Sequence, residues 1–190
     1  MKYLDRFLRN WRVAKAMEFV PNSMNSVFDI GCGDGYLLTK LALVTERQDA
    51  IDPRVSIQKV SKNSTLMEGF FPADVPSEFK GGQYDAIFAL AVFEHLTELD
   101  LNEAANVIHD MLTPSGRLIV TVPHPIVDII LDVLRLFRLV EAETLEEHHG
   151  FVPAQLPVYL SSHLKLVTHK KFQFGLNNVY VFEKRGPGCN

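Results

Sequence analysis

Between Val27 and Leu38 the chain reads VFDIGCGDGYLL, with Gly31, Gly33 and Gly35 at every second position. Glycine takes positive φ at little cost and lets a backbone approach a ligand with no Cβ between them. A buried-strand pattern, Ser26 to Gly33, runs into the glycines, and a helical one follows, Tyr36 to Val44. In an open α/β sheet such a junction lies beyond the carboxyl end of a strand, where ligands bind at the switch point of strand order. The stretch therefore predicts a strand, a tight loop and a helix pressed against a small molecule.

The remaining sequence supplies partners for that unit. QDAID, STLMEGFF, YDAIFALAVF and RLIVTVP read as further strands, and RVSIQKVSKN as a helix. Asp100 and Glu103 suggest a capping box, followed by Leu101, Ala104, Ala105, Ile108 and Leu112 on one helical face. Strands alternating with helices predict an α/β fold, one parallel sheet covered on both faces. LKLVTHKKFQF and NNVYVFEK, joined by the turn-like GLNN, predict a closing antiparallel hairpin. Leu4, Phe7, Leu8, Trp11 and Ala14 recur at helical spacing, so residues 1–20 are expected to form an N-terminal helix packed on the domain. All 190 residues are expected to form one domain.

Charge and cysteine content narrow the setting. A net charge of −4 excludes a general attraction to nucleic acid or to anionic membrane. No apolar run is long enough for stable membrane insertion. Two cysteines, Cys32 and Cys189, make no disulfide framework and fit a reducing cytoplasm.

The dinucleotide fingerprint G-x-G-x-x-G/A would need a small residue where this chain has Tyr36. The run is instead Asp29-Ile30-Gly31-Cys32-Gly33-Asp34-Gly35, which resembles the first motif of class I S-adenosylmethionine-dependent methyltransferases. Three further stretches agree in order: AIDPRV with Asp52, YDAIFALAVFEHL with Glu94 and His95, and LTPSGRLIVTVPHP with His124. The resemblance covers about residues 25–125. It implies a Rossmann-like three-layer sandwich around a seven-stranded, mostly parallel sheet whose last strands are antiparallel. It implies S-adenosylmethionine as cofactor and S-adenosylhomocysteine as product, the methionine end lying over Asp29, Gly31 and Gly33. The ribose falls to Asp52, because a carboxylate there can accept hydrogen bonds from both hydroxyls. Adenine is expected near Gly69 to Phe71, with Phe70 or Phe71 stacking on it, and Ala89 beside the cofactor in the fourth-strand motif. Many members carry an acidic residue directly after the third strand; this chain has EGFFPAD.

The implied reaction is an in-line displacement on the sulfonium methyl group by a small-molecule acceptor, at oxygen. A hydroxyl must lose its proton, and His95 and His124 are the candidate bases, His95 favoured for its place beside Glu94. Residues 124–160 are expected to hold a helix, PIVDIILDVLRLFRLV, and a lid on the substrate side; the helix's broad apolar face suits packing on the sheet, lining a substrate pocket, or a homodimer. His148 and His149, adjacent in sequence, point to opposite faces in a strand, so no metal site is expected. The rival readings are a cofactor-binding module without turnover and a nicotinamide-dependent oxidoreductase.

Overall fold

The computed structural model describes residues 3–21, 23–54, 62–124 and 151–186. In chain order the elements are α1 (Tyr3–Met17), β1 (Ser26–Ile30), α2 (Tyr36–Leu41), β2 (Arg47–Asp52), β3 (Ser64–Glu68), β4 (Tyr84–Leu90) and α3 (Glu98–Met111). β5 (Leu112–Pro123), a short helix α4 (Leu156–Leu160), β6 (Leu164–Phe172) and β7 (Asn177–Lys184) follow among the described residues. The strands form one seven-stranded sheet in the order β3-β2-β1-β4-β5-β7-β6. β1 to β5 pair in parallel, and β7 runs antiparallel to both β5 and β6. Strand order reverses between β1 and β4, so the crevice at their carboxyl ends is where a ligand belongs in such a sheet.

Alternation along the strands divides the core in two. Phe28, Ile30, Ile87, Ala89, Leu118, Val120, Val122 and Phe182 pack on the α3 face. Val27, Ala50, Ala86, Phe88, Ile119, Val179 and Val181 pack on the other face with residues of α1 and α2. Both faces are apolar because both are covered, which gives these strands their nearly continuous hydrophobic runs.

Several local details differ from the sequence expectation. α3 is capped by Thr97, whose hydroxyl accepts from Asp100 N–H at 3.2 Å while the Asp100 carboxylate accepts from Thr97 N–H at 3.2 Å. The capping box is thus Thr97–Asp100, not Asp100–Glu103, because the chain turns helical directly after Thr97. Leu112 is already extended (φ −72°, ψ 139°), so β5 begins there, five residues ahead of the expected strand RLIVTVP. The α3 carbonyls of Asp110 and Met111 are taken up by N–H groups of Gly81, Gly82 and Gln83. In α1 the buried side chains are Val13 and Ala16, with Trp11 and Met17 partly buried, while Ala14 is exposed. The packed stripe is therefore displaced from the expected one. Most of the expected helix RVSIQKVSKN, the helix PIVDIILDVLRLFRLV with its apolar face, and Glu146 to His149 lie outside the described residues.

One polar device anchors the opposite end of the sheet. The Asp85 carboxylate accepts from Asn25 N–H (2.9 Å), Ser26 N–H (3.1 Å) and the Ser26 hydroxyl (3.0 Å), tying the start of β1 to β4. Removing it leaves two N–H donors to find new partners, while the Ser26 hydroxyl keeps the Gln83 carbonyl at 2.7 Å. Asp85→Ala should lower unfolding free energy by about 2–3 kcal/mol, the scale of hydrogen bonds to a charged group. Urea denaturation would check this, and an unchanged midpoint would show that solvent replaces the carboxylate.

Candidate functional site

Gly31, Gly33 and Gly35 all have positive φ, at 74°, 51° and 68°. They do so for separate reasons. A Cβ on Gly31 would stand 2.4 Å from Val92 Cγ2, so Gly31 is required by close packing against the segment after β4. A Cβ on Gly33 would meet nothing within 4 Å, which leaves room above the loop for another molecule. Gly35 begins α2. The loop is held by Gly31 N–H to the Ile51 carbonyl at 2.8 Å and by Gly33 N–H to Asp52 Oδ2 at 2.8 Å.

Asp52 is only 9% exposed and accepts from Arg54 N–H through its second oxygen at 2.7 Å. A carboxylate offers about four acceptor positions, so both oxygens retain capacity for further donors. Asp29, 3% exposed in β1, has its carboxyl pushed well above the usual range, first by burial and then by the charge of Asp52. The same surroundings push the Cys32 thiol up to about 12, burial first, then Asp29 and Asp52. Burial and mutual repulsion disfavour ionising both carboxyl groups at the carboxyl ends of β1 and β2, and Asp52 leaves the corner anionic. A ligand with positive charge and several donors fits it.

Asp29, Gly31, Gly33 and Asp52, singled out in the sequence, thus come together. The aromatic candidates separate. Phe71 is buried at 7% exposure within the core, whereas Phe70 is 68% exposed and leaves its ring available. Phe70 N–H donates to Asp74 Oδ2 at 2.8 Å, so the acidic residue of EGFFPAD folds back onto the loop after β3. Ala89 is fully buried in the core of β4, and the half-exposed residues at that strand's end are Leu90, Ala91 and Val92.

His95 and Glu94 lie in a tight turn after β4, Glu94 buried and His95 half-buried. His124 follows β5, and its N–H donates to the Leu176 carbonyl at 2.8 Å. Because β4 and β5 are parallel neighbours, both imidazoles belong to one edge of the sheet.

Two participants escaped the sequence reading. Ala91 has φ 62°, a left-handed conformation unusual for a residue with a side chain, at the carboxyl end of β4. No composition signal marks it. Arg9 of α1 pairs with Asp34 inside the glycine loop and stacks 4.1 Å from the centre of the Tyr36 ring. Asp34 Oδ1 accepts from Tyr36 N–H at 3.3 Å, so α1 is tied to the loop and to the start of α2. The helical spacing of α1 was visible, but the partner of Arg9 lies in a distant segment. Among the described residues no group of three or more side chains suits a metal ion, and no helix is long and apolar enough to cross a membrane.

Comparison with known proteins places this geometry in context. A family model described as "Methyltransferase domain" matches residues 2–165. An uncharacterised methyltransferase of Oceanobacillus iheyensis is 26% identical over 106 residues, covering 54% of this chain and 48% of that protein. The chain thus spans about half the length of that curated relative. The N-methyltransferase NodS of Bradyrhizobium japonicum, solved with S-adenosyl-L-homocysteine, superposes with TM-score 0.68 at 15% identity, covering 93% of this chain and 87% of that one. A putative S-adenosylmethionine-dependent methyltransferase of Listeria monocytogenes gives TM-score 0.72 at 15% identity over 94% and 100% of the two chains.

The loop geometry and the Asp29 environment each yield an expected outcome. Gly31→Ala should destabilise by about 2–4 kcal/mol, combining left-handed strain with a clash, whereas Gly33→Ala should cost only about 1–2 kcal/mol of strain. Equal losses in urea unfolding would contradict the two environments. Asp29 stabilises the fold in its protonated form: its contribution is complete below its unfolded value of ~3.9 and is lost as pH rises through the raised folded value. Asp29→Asn should therefore gain melting temperature over the parent as pH rises from 4 to 8. A constant difference across that range would place the charge elsewhere.

Proposed function

Starting from the fact that the chain belongs to the methyltransferase-domain family of class I S-adenosylmethionine-dependent enzymes, we propose that it methylates a small-molecule acceptor at oxygen. The observation that carries this reading is the anionic corner of Asp29 and Asp52 beside the open space over Gly33. When bound, S-adenosylmethionine supplies a methyl group activated by positive charge on sulfur. Asp52 takes the ribose hydroxyls, and Gly31, Gly33 and Asp29 hold the methionine end. Burial of Asp29 against Asp52 favours a cationic guest there, since positive charge relieves their repulsion. The exposed Phe70 ring offers a face for adenine, and its neighbour Asp74 lies within the same loop. Ala89 contributes through the core that supports the end of β4.

The acceptor is placed beyond β4 and β5, where His95 and His124 stand. His95, half-buried in the turn after β4, is the group that takes the hydroxyl proton. His124 flanks the acceptor and assists its orientation. Positioning carries much of such a reaction, which makes a rigid sheet edge a suitable platform. The buried thiol of Cys32 suits a reducing cytoplasm.

Calorimetry should show S-adenosylhomocysteine binding in the micromolar range and NAD far more weakly; the reverse order would reject the family's cofactor for this chain. Asp52→Ala should weaken cofactor binding by about 1.5–3 kcal/mol, as loss of charged hydrogen bonds does, and an unchanged affinity would move the ribose site. His95→Ala should cut turnover by about 10²–10⁴-fold with cofactor affinity retained, and His124→Ala should be milder. Binding without methyl transfer to any hydroxylated acceptor would favour a non-catalytic module.

A further inference from the structure

α1 and the turn between β6 and β7 lie side by side and leave a row of aromatic rings open to solvent. Gln173 Nε2 donates to the Leu8 carbonyl of α1 at 3.1 Å, which holds the turn against the helix, and Asn177 Nδ2 donates to Gln173 Oε1 at 2.6 Å behind it. One turn further along the helix, Trp11 meets Phe174 edge-on with ring centroids 6.0 Å apart, and it meets Phe7 in the same way at 5.6 Å. Phe7 is 58% exposed and Phe174 95%, so the partly buried Trp11 joins two rings that face water. Phe174 is also held in the left-handed region at φ 58°, a conformation that is costly for a residue with a side chain. Single exposed apolar residues need no explanation, but three rings in contact, one of them on a strained turn, mark a contact surface.

The charge around these rings has one sign in excess. α1 carries Arg6, Arg9, Arg12 and Lys15 against Asp5, and residues 161–176 carry Lys165, Lys170 and Lys171 with no aspartate or glutamate. The whole chain has 23 acidic and 19 basic residues, so positive charge is gathered here against the general balance. Of the acidic groups that touch α1, Asp34 is held by Arg9, and Glu18 by Lys15 at 2.6 Å. Arg6, Lys170 and Lys171 are exposed and hold no acidic partner among the described residues. Lys170 Nζ stands 5.3 Å from the centre of the Phe19 ring, which puts its charge on the α1 side of the sheet. A second copy of the chain would bring the same positive charge to the same place, so self-association is disfavoured. The rings close on one another into a single apolar knob, which suits the headgroup boundary of a bilayer better than a series of stacked bases.

We infer that α1 and the β6–β7 turn form a docking face for an anionic lipid bilayer, with Phe7 and Phe174 entering the headgroup boundary and Arg6, Lys170 and Lys171 meeting lipid phosphates. Burial of exposed rings and attraction of basic side chains to anionic headgroups add in such a contact. Salt confines the attraction to about one Debye length, roughly 8 Å at physiological ionic strength, so the negative charge on the rest of the molecule does not cancel it. The binding is peripheral and spans nothing. Because Arg9 ties the same helix to the glycine loop, a docked protein holds that loop close to the bilayer.

Trp11 is the only tryptophan of the chain, so its fluorescence reports this face directly. Full-length protein is titrated with vesicles of phosphatidylcholine alone and with vesicles of phosphatidylcholine and phosphatidylglycerol in equal parts. The anionic vesicles should move Trp11 emission to the blue and carry the protein into the vesicle pellet. Phosphatidylcholine alone should need about tenfold more lipid or beyond, and raised salt should erase that difference. Phe174→Asn, a residue that tolerates the left-handed conformation, should keep the melting temperature and weaken vesicle binding by about ten- to thirtyfold. Replacing Lys170 and Lys171 together by glutamine should cut the preference for anionic lipid by about tenfold. Protein that stays in solution with anionic vesicles, or a folded Phe174→Asn protein that binds as tightly as the parent, would overturn the docking face. So would a Trp11 shift that follows protein concentration without vesicles, which assigns the rings to a second copy. A shift with a single-stranded oligonucleotide and none with vesicles would overturn it in favour of nucleic acid.

Discussion

The hydrogen bond from Gly33 N–H to Asp52 joins the ends of two neighbouring strands through a loop that has no side chain at the crossing. β1 must end at Ile30, β2 must end at Asp52, and the two must be in parallel register for that bond to form. Register in a parallel pair with both faces buried is strongly specified, since a slip of one residue would turn every core side chain to the wrong face. The apolar alternation of the sheet thus sets the position of a polar loop. The Gly31 contact with Val92 extends the same dependence to β4, because the loop can close only if the chain after β4 passes beside it.

The sheet edge brings together groups that disfavour one another. Asp29 and Asp52 repel, and burial removes the water that would screen them. Ala91 is held in a left-handed conformation, and among the described residues the buried Thr121 Oγ1 and Asn177 Oδ1 find no hydrogen-bond partner. The penalties cluster at the carboxyl edge, while the opposite end of the sheet is well satisfied, with Asp85 on the start of β1 and the Tyr84 hydroxyl on Asp49 at 2.7 Å. A fold that concentrates its unfavourable contacts where ligands bind can relieve them only on binding.

α1 connects these regions. Arg9 reaches the glycine loop, the Leu8 carbonyl orients Gln173 and through it Asn177, and Trp11 faces Phe174. One helix therefore touches both the cofactor corner and the far side of the edge. Its basic, amphipathic sequence looked like an ordinary surface helix. The buried positions Val13 and Ala16 agree, while Leu8 and Arg9 nearer its start reach Gln173 and the glycine loop.

Much of the fold was readable because alternation and glycine act locally. The order of strands and helices, the closing antiparallel pair and the glycine loop follow from hydrophobic period and from the absence of a Cβ. Asp29, Gly31, Gly33 and Asp52 could be named together because the resemblance to the methyltransferase motifs implies it, and each sits at or just beyond a strand end. What the sequence could not reveal depends on segments distant along the chain. Phe70 and Phe71 are adjacent and chemically alike, yet packing buries one in the core and leaves the other open. Thr97, not Asp100, begins α3 because the turn after β4 delivers the chain there. The amide orientation of Asn177 is decided by a carbonyl in α1, far away in sequence. Local preference sets backbone shape residue by residue, whereas burial and hydrogen-bond pairing are settled only when remote segments meet.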